Sequence, residues 1–456
     1  MDIWFHPARE LDAVVRAAAA RTPGFEADFN PEMRPADPRH GDFQANGVLG
    51  FAKARKQNPR ALATALAETL RAGGVLDPAL VQIEIAGAGF INFKFTPAFL
   101  LAWLKKYRDE SDFRDAADEF KAWQYVVVDY PSPNTAKQMH IGHLRPMVIG
   151  EAVSRLLVFC GAHVIRDNHI GDWGTNFGVL ILALRESGET LASEPEAALV
   201  QLERLYKIGS AKVEDRNSAW ADAARSELVK LQNGDPENTR IWQQIIEASN
   251  RAADVIYKTL GVTIEHTLGE SFYRDKVEKI YKEMEGYGLA EVSKGALVVF
   301  HPEHPHFKTQ PFIIRKSDGA SNYASTDLAT VLYRVEHFHA NEIVYVTDGR
   351  QRDHFEQLFL TVKKWFQASA RPTTPGLRHV WFGTILGEDG RAIKTKSGES
   401  LRLLAVLDEA QARARAIVEE KNPDLPEAEK KNIARVVGLG AVKYADLRQD
   451  RTSDYE

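Results

Sequence analysis

Apolar and polar positions follow two rhythms along this chain. Residues 10–21, ELDAVVRAAAAR, place apolar positions at helical spacing and stop at Thr22-Pro23-Gly24. The Pro- and Asp-rich stretch FNPEMRPADPRHGDF (29–43) reads as loop. Residues 46–73 look helical with a break at Asn58-Pro59. VQIEIAG (81–87) and FINFKF (90–95) are short strands around a glycine turn, and AFLLAWLKKY (98–107) is a helix capped by Thr96 with Pro97 at its first position. Together they predict a small α+β domain over residues 1–110. SDFRDAADEFKAW (111–123), polar and acidic, reads as a linker helix within 111–124.

At Tyr125 the rhythm changes. YVVVDY (125–130) is a β-branched run of the kind buried in parallel sheets. A helix over 143–160 and a second strand and loop, HVIRDNHIGDWG (163–174), make a β-α-β start. Residues 185–260 are helical and charged, an insertion. Strand signals resume at VTIEHT, ALVVF, FIIRK, EIVYVTD and HVWFGTIL, with the helix DHFEQLFLTVKKWF between the last two. The series predicts a doubly wound, parallel-sheet α/β domain, followed by helices from 401 to the end.

Composition adds bounds. At 456 residues and 44% hydrophobic, the chain can bury several cores. A net charge of -5 argues against a wholly basic surface but leaves local nucleic-acid patches open. With Cys160 as the one cysteine, no internal disulfide and no Cys-rich zinc site can form, so a reducing compartment fits. The first residues, MDIWFHPARE, are no signal peptide, and no run approaches the ~18–20 apolar residues of a membrane span. A cytoplasmic protein without membrane contact is expected.

The chemistry concentrates in PSPNTAKQMHIGH (131–143), directly after the YVVVDY strand and before a helix. Ligands of doubly wound sheets bind at the carboxyl ends of strands, and a helix N-terminus offers free amides to phosphate. Glycine permits close approach of a nucleotide, and histidines and a lysine donate to phosphate oxygens. No GxxxxGK[ST] is present. Read from the residues alone, the loop is either a phosphate site without a P-loop or a turn with surface histidines.

His140-Ile141-Gly142-His143 resembles the HIGH signature of class I aminoacyl-tRNA synthetases. VVVDYPSPNTAKQMHIGHLRPMVIGEA, VIRDNHIGDWGTNFG, TLGESFY (267–273), SNYASTD (321–327), DGRQRDHF (348–355) and VVGLGAVKYADLRQDRTSDY (436–455) are similar, in this order, to arginyl-tRNA synthetases. HGDFQANG (40–47) and EIAGAGFINFKF (84–95) resemble that family's N-terminal domain. The resemblance implies an N-terminal tRNA-contacting domain and a Rossmann-like catalytic domain over 125–385, with insertions near 180–245 and 275–320. It implies a KMSKS-like loop with stem-contact helices over 386–430. The family's helical anticodon-binding domain would begin at 431–456, and most of it is expected to be absent.

The implied activity is arginine–tRNA ligation: ATP with Mg²⁺ and L-arginine give arginyl-adenylate, which passes to the 3′ end of tRNA(Arg). No protein-held metal and a monomer are expected. Activation in this family requires bound tRNA, so a chain lacking the anticodon domain is expected either to act weakly or to bind arginine, ATP or tRNA without turnover.

Residue by residue, the resemblance assigns Glu270 and Asp327, with Tyr323, to the guanidinium, whose five donors suit carboxylates. Asp129, Asn134 and Gln351 match positions around the amino acid's backbone groups. His140, Gly142 and His143 are assigned to ATP. The second signature is degenerate: GEDGRAIKTKSGES (387–400) keeps Lys394 and Lys396 but lacks the first lysine of KMSK, and Lys137 occupies the place thought to compensate. Asp167, His169, Asp172 and Trp173 look like pocket lining. Phe43, Gln44 and Asn46 resemble the patch that meets the tRNA D-loop. Blander readings stand beside these: Glu270 as a turn residue, Tyr323 and Asp327 as an i, i+4 helix pair, Asp129 as an orienter of the loop, Lys396 as a solvated lysine, and Asp42 as a helix cap next to Phe43.

Overall fold

The computed structural model describes residues 3–387, 389–391, 393 and 401–456. Lys394 and Lys396 lie outside the described residues. The chain divides into two units, one ending at Ala122 and one running from Trp123 to Glu456.

The first unit is built on an antiparallel sheet ordered β1-β2-β4-β3, with β1 at Met33–Pro35, β2 at Phe43–Ala45, β3 at Val81–Ala86 and β4 at Phe90–Phe95. Helices α1 (Pro7–Ala19), α2 (Gly47–Ala54) and α3 (Pro59–Ala72) complete a core containing Leu11, Val15, Leu66, Ile91 and Phe93. Asn58 caps α3 and Thr96 caps α4 (Pro97–Lys106), each ahead of a first-turn proline, as their sequence predicts. Two readings change. β1 lies inside the stretch read as loop, where Pro35 is tolerated because β1 is an edge strand. The linker helix is a packed element, α5 (Glu110–Asp118), whose Phe113 meets Phe5 and Trp103 at ring distances of 5.7 and 5.4 Å.

In the second unit α6 (Leu144–Phe159) joins β5 (Tyr125–Asp129) to β6 (His163–Asn168). Four helices then intervene before β7 (His266–Thr267): α7 (Asn176–Ser187), α8 (Pro195–Lys212), α9 (Ala219–Gln232) and α10 (Pro236–Leu260), which pack on a core of their own. After α11 (Glu270–Tyr273) and α12 (Val277–Gly286) come β8 (Ala290–Ser293), β9 (Ala296–Val299) and β10 (Phe312–Arg315). The chain continues through α13 (Tyr323–His337), β11 (Glu342–Tyr345), α14 (Arg352–Ala368), β12 (Gly376–His379), α15 (Leu403–Lys421) and α16 (Glu427–Leu447).

The main sheet is parallel throughout, in the order β12-β11-β5-β6-β7. From β5 the chain passes first to β6 on one side and later to β11 on the other, so the crevice beyond the carboxyl end of β5 is the topological switch point. ALVVF and FIIRK do not join this sheet. They form a separate antiparallel sheet ordered β10-β9-β8. HVWFGTIL supplies only the end of β12 and then isolated bridges, Phe382 to Asp348 and Ile385 to Tyr455. Among the described residues, no helix is long and apolar enough to cross a membrane.

Candidate active site

Residues from several segments singled out in the second unit's sequence lie around the carboxyl ends of the parallel strands. The loop after β5 comes first. His140 and His143 lock each other across a short 3-10 turn, Ile141–His143, that leads into α6. His140 Nδ1 accepts the Gly142 amide at 3.1 Å, and His143 Nδ1 accepts the His140 amide at 3.1 Å. A ring nitrogen that accepts from an amide cannot carry the proton, so each neutral ring carries it on Nε2. Burial disfavours the charged form of both rings. It lowers His140, aided by the positive charges of Arg350 and Lys137, and brings His143, with help from His140, down to about 4. Both are therefore neutral Nε2–H donors near pH 7. A Cβ at Gly142 would lie 2.9 Å from His140 Cε1, so glycine lets the His140 ring fold back over its own turn.

The same loop is stitched to the far end of the chain. Ile141 donates its amide to Leu401, Leu403 donates to Met139, each at 2.9 Å, and His140 bridges Arg402. Lys137 is exposed, with its ammonium 5.3 Å from the Tyr206 ring of α8. Asn134 is also exposed and bridges Gly171. A Cβ on Gly171 would fall 2.2 Å from Asn134 Oδ1, so this glycine makes room for the amide.

Asp129 ends β5 but does not reach into the crevice. Its Oδ2 takes Arg334 of α13 at 2.7 Å and its Oδ1 takes the Ser132 hydroxyl at 2.6 Å. Arg334, fully buried, also holds Asp167 of β6 at 2.8 Å. Asp129 and Asp167 are register partners on adjacent strands, so two like charges would face each other without this guanidinium. Of the two readings of Asp129, this geometry favours the loop orienter. Asp167, read as pocket lining, is likewise committed to the buried pair.

A second cluster lies around α11. Glu270 stands at its first position, with its amide donating to Ile170 at 3.1 Å. Burial, then Asp172, then Asp327 push the Glu270 carboxyl up to about 8. Asp172 is raised by burial, although Ser271 serves it through amide and hydroxyl at 2.8 and 2.6 Å. Tyr323 and Asp327 occupy the first two turns of α13; the Tyr323 ring is largely exposed, and partial loss of water with the nearby Glu270 and Asp327 raises its phenol. Asp327 Oδ2 lies 2.5 Å from His354 Nε2. His169 contacts the Leu268 carbonyl at 3.0 Å, and Trp173 lies under the Arg274 guanidinium. Three carboxyl groups thus lie close enough to act on one another, and the largest cause of the Glu270 shift is the loss of water around it. Such a set suits a cation with several planar donors. Gln351 is exposed, at the end of the 3-10 turn Gly349–Gln351 that precedes α14.

Arg334 and His354 escaped the sequence reading. Arg334 looks like an ordinary helix residue, and only the tertiary fold brings it to Asp129 and Asp167. His354 follows Gln351 by three positions, one helical turn, which is the signal that could have found it.

In the first unit the expected tRNA patch is less open than its sequence suggests. Phe43 is half-buried, its ring 5.8 Å from Phe95, because strand alternation turns it toward the core. Gln44 donates to Asn92 at 2.6 Å. Asn46 stands at the N-cap of α2 without making a side-chain cap bond, and Asp42, rather than capping, accepts the Phe95 amide at 2.7 Å.

Comparison with known proteins adds an independent line. A family model described as the catalytic domain of class I (R) tRNA synthetases matches residues 111–456, and one described as the arginyl tRNA synthetase N-terminal domain matches residues 9–95. The chain is 42% identical over 446 residues to an arginine--tRNA ligase of Laribacter hongkongensis, covering 96% of this chain and 76% of that protein. It is 41% identical to one from Chromobacterium violaceum, covering 96% of this chain and 74% of the other. Among solved structures, arginyl-tRNA synthetase from Plasmodium falciparum superposes with a TM-score of 0.75 at 24% identity over 100% of this chain and 76% of its own. The Thermus thermophilus arginyl-tRNA synthetase gives 0.71 at 23%, over 99% and 77%. At these identities the structural likeness speaks for the fold.

Proposed function

The chain belongs to the class I arginyl-tRNA synthetases, and from that premise we propose how its residues act as an ATP-dependent arginine–tRNA ligase. The observation that carries the assignment of the pocket is the convergence of Glu270, Asp327 and Asp172, with Glu270 held protonated near pH 7 when no cation is present. Arginine's guanidinium enters between Glu270 and Asp327, beside Tyr323, and replaces the proton on Glu270. Asn134 and Gln351 take the amino acid's backbone groups. Asp129 acts one step back, fixing Ser132 and the loop.

No general base is required, because the arginine carboxylate is already a nucleophile at neutral pH. It attacks the α-phosphorus of ATP in line, an O–P bond forms, and pyrophosphate leaves with the electrons of the broken P–O bond. Catalysis is then positioning and charge stabilisation. His140 and His143 donate from Nε2 to phosphate oxygens without adding charge. Lys137, together with Lys396 and Lys394, balances the charge on the departing pyrophosphate. Mg²⁺ enters with ATP as part of that substrate. A ribose hydroxyl at the 3′ end of tRNA(Arg) then attacks the arginyl carbonyl carbon, the bond to the phosphate oxygen breaks and AMP leaves, while Gln44 and Asn46 offer amides to the tRNA body. We assign the cytoplasm as the place of this reaction and the single chain as the acting unit.

ATP–pyrophosphate exchange with arginine, run with and without tRNA, tests the reading. Exchange driven by arginine alone among the amino acids is expected. Exchange with a different amino acid would overturn the arginine assignment, and arginine binding without any exchange would mean a chain that binds its substrates without turnover.

A further inference from the structure

One oxygen of Asp327 is already engaged. His354 Nε2 lies 2.5 Å from Asp327 Oδ2, at the third residue of α14. The His354 ring is set between Phe312 of β10 and Phe355, at centroid distances of 5.6 and 5.3 Å, and these contacts fix its plane. Titratable neighbours reach the pair from several elements: Glu270 at the start of α11, Tyr323 on α13 and His379 on β12. Burial works against a charged His354, but the bond to Asp327 outweighs it and holds the imidazolium above its ordinary range.

We propose that His354 is a positioning residue that sets specificity for a guanidinium: by holding Oδ2 of Asp327 it fixes the carboxylate plane, so that Oδ1 presents one edge to a planar, multi-donor cation. The inference rests on the reading of Asp327 as an arginine ligand. A carboxylate free to turn about its terminal torsion, which is broad and roughly two-fold, serves an ammonium as well as a guanidinium. A locked carboxylate favours the planar fork, whose donors have fixed directions, over a point charge on a flexible stem.

Two substitutions separate the bond from the packing. His354→Phe keeps a ring between Phe312 and Phe355 but removes the donor, and His354→Gln keeps a donor without the ring. Arginine and lysine binding to the full chain are measured by calorimetry, lysine by displacement, with ATP binding and thermal melting recorded for each variant. The expected result is arginine binding weakened about ten- to a hundred-fold in His354→Phe, the scale of a lost charge-assisted hydrogen bond. Lysine and ATP binding stay as in the parent chain, so the arginine-to-lysine preference falls by the same factor, and His354→Gln retains most of it. Unchanged arginine binding in His354→Phe overturns the proposal, as does an equal loss in both variants or a parallel loss for lysine. Asp327→Asn is measured alongside. If it binds arginine normally, the reading of the pocket fails. If it loses arginine while His354→Phe does not, only the role of His354 fails.

Discussion

The amide of Ile141 donates to the carbonyl of Leu401 at 2.9 Å, joining the loop after the first parallel strand to the segment that opens α15. Lys137 stands four residues before Ile141, exposed and near the Tyr206 ring. Replacing Lys137 with alanine is expected to slow adenylate formation by about ten-fold or more, with arginine affinity nearly unchanged, since charge stabilisation in the transition state appears in rate rather than ground-state binding. Single-turnover measurement of pyrophosphate release decides it. An unchanged rate removes Lys137 from the mechanism.

The Glu270 carboxyl, at about 8 in the free site, makes arginine binding depend on pH. Below that value a proton must leave for the guanidinium to enter. Affinity therefore rises with pH up to about 8, by up to roughly ten-fold per unit, and then levels. Glu270→Gln should flatten the profile. Calorimetry in buffers of different ionisation enthalpy should detect proton release near pH 7.

Stability carries the opposite sign. A carboxyl whose folded pKa lies above its unfolded value holds a proton better when folded, so its contribution is present at low pH and lost as pH rises through the folded value near 8. Bound arginine reverses that loss, so its thermal stabilisation should be larger at pH 8 than at pH 6.

The two nitrogens of His143 have separate duties, and amide side chains can mimic each in turn. Asparagine matches the position of Nδ1, which accepts the His140 amide at 3.1 Å, and glutamine matches Nε2. His143→Asn should keep more stability, the cap being worth about 1 kcal/mol. His143→Gln should keep more turnover, a lost phosphate donor costing about a hundred-fold. Melting curves and exchange rates on the two variants would contradict this division if both followed the same order.

Gly171→Ala forces a Cβ to 2.2 Å from Asn134 Oδ1, closer than any side chain tolerates. The amide must turn away. The KM for arginine should rise while the KM for ATP stays put, with a stability loss of about 1–3 kcal/mol from overpacking. Equal rises in both constants would point to a general disturbance of the loop.

Much of this site is legible in the sequence because its pieces sit where local rules are strong. YVVVDY reads as a buried strand, and the loop after it then lies at a carboxyl edge, whereas Glu270 and Asp327 are singled out only by the family resemblance of the motifs that carry them. What stays hidden depends on partners distant along the chain. ALVVF and FIIRK have the same β-branched composition as the parallel strands, and nothing local shows that they pair with each other in a sheet of their own. Met33–Pro35 forms a strand only because β2 lies beside it. Asp129 reads as a ligand until Arg334, from the far end of α13, is found to occupy it.

That occupation has a consequence for substrate length. Tyr323 and Asp327 open the helix that Arg334, two turns further on, bolts to the ends of β5 and β6. In the binding mode proposed above, the residues assigned to the far end of the substrate side chain and the strand ends that carry the near-end loop are tied together through Arg334. The pocket would then work as a calliper with a fixed gap. An amino acid one carbon longer or shorter than arginine is expected to satisfy one jaw but not both.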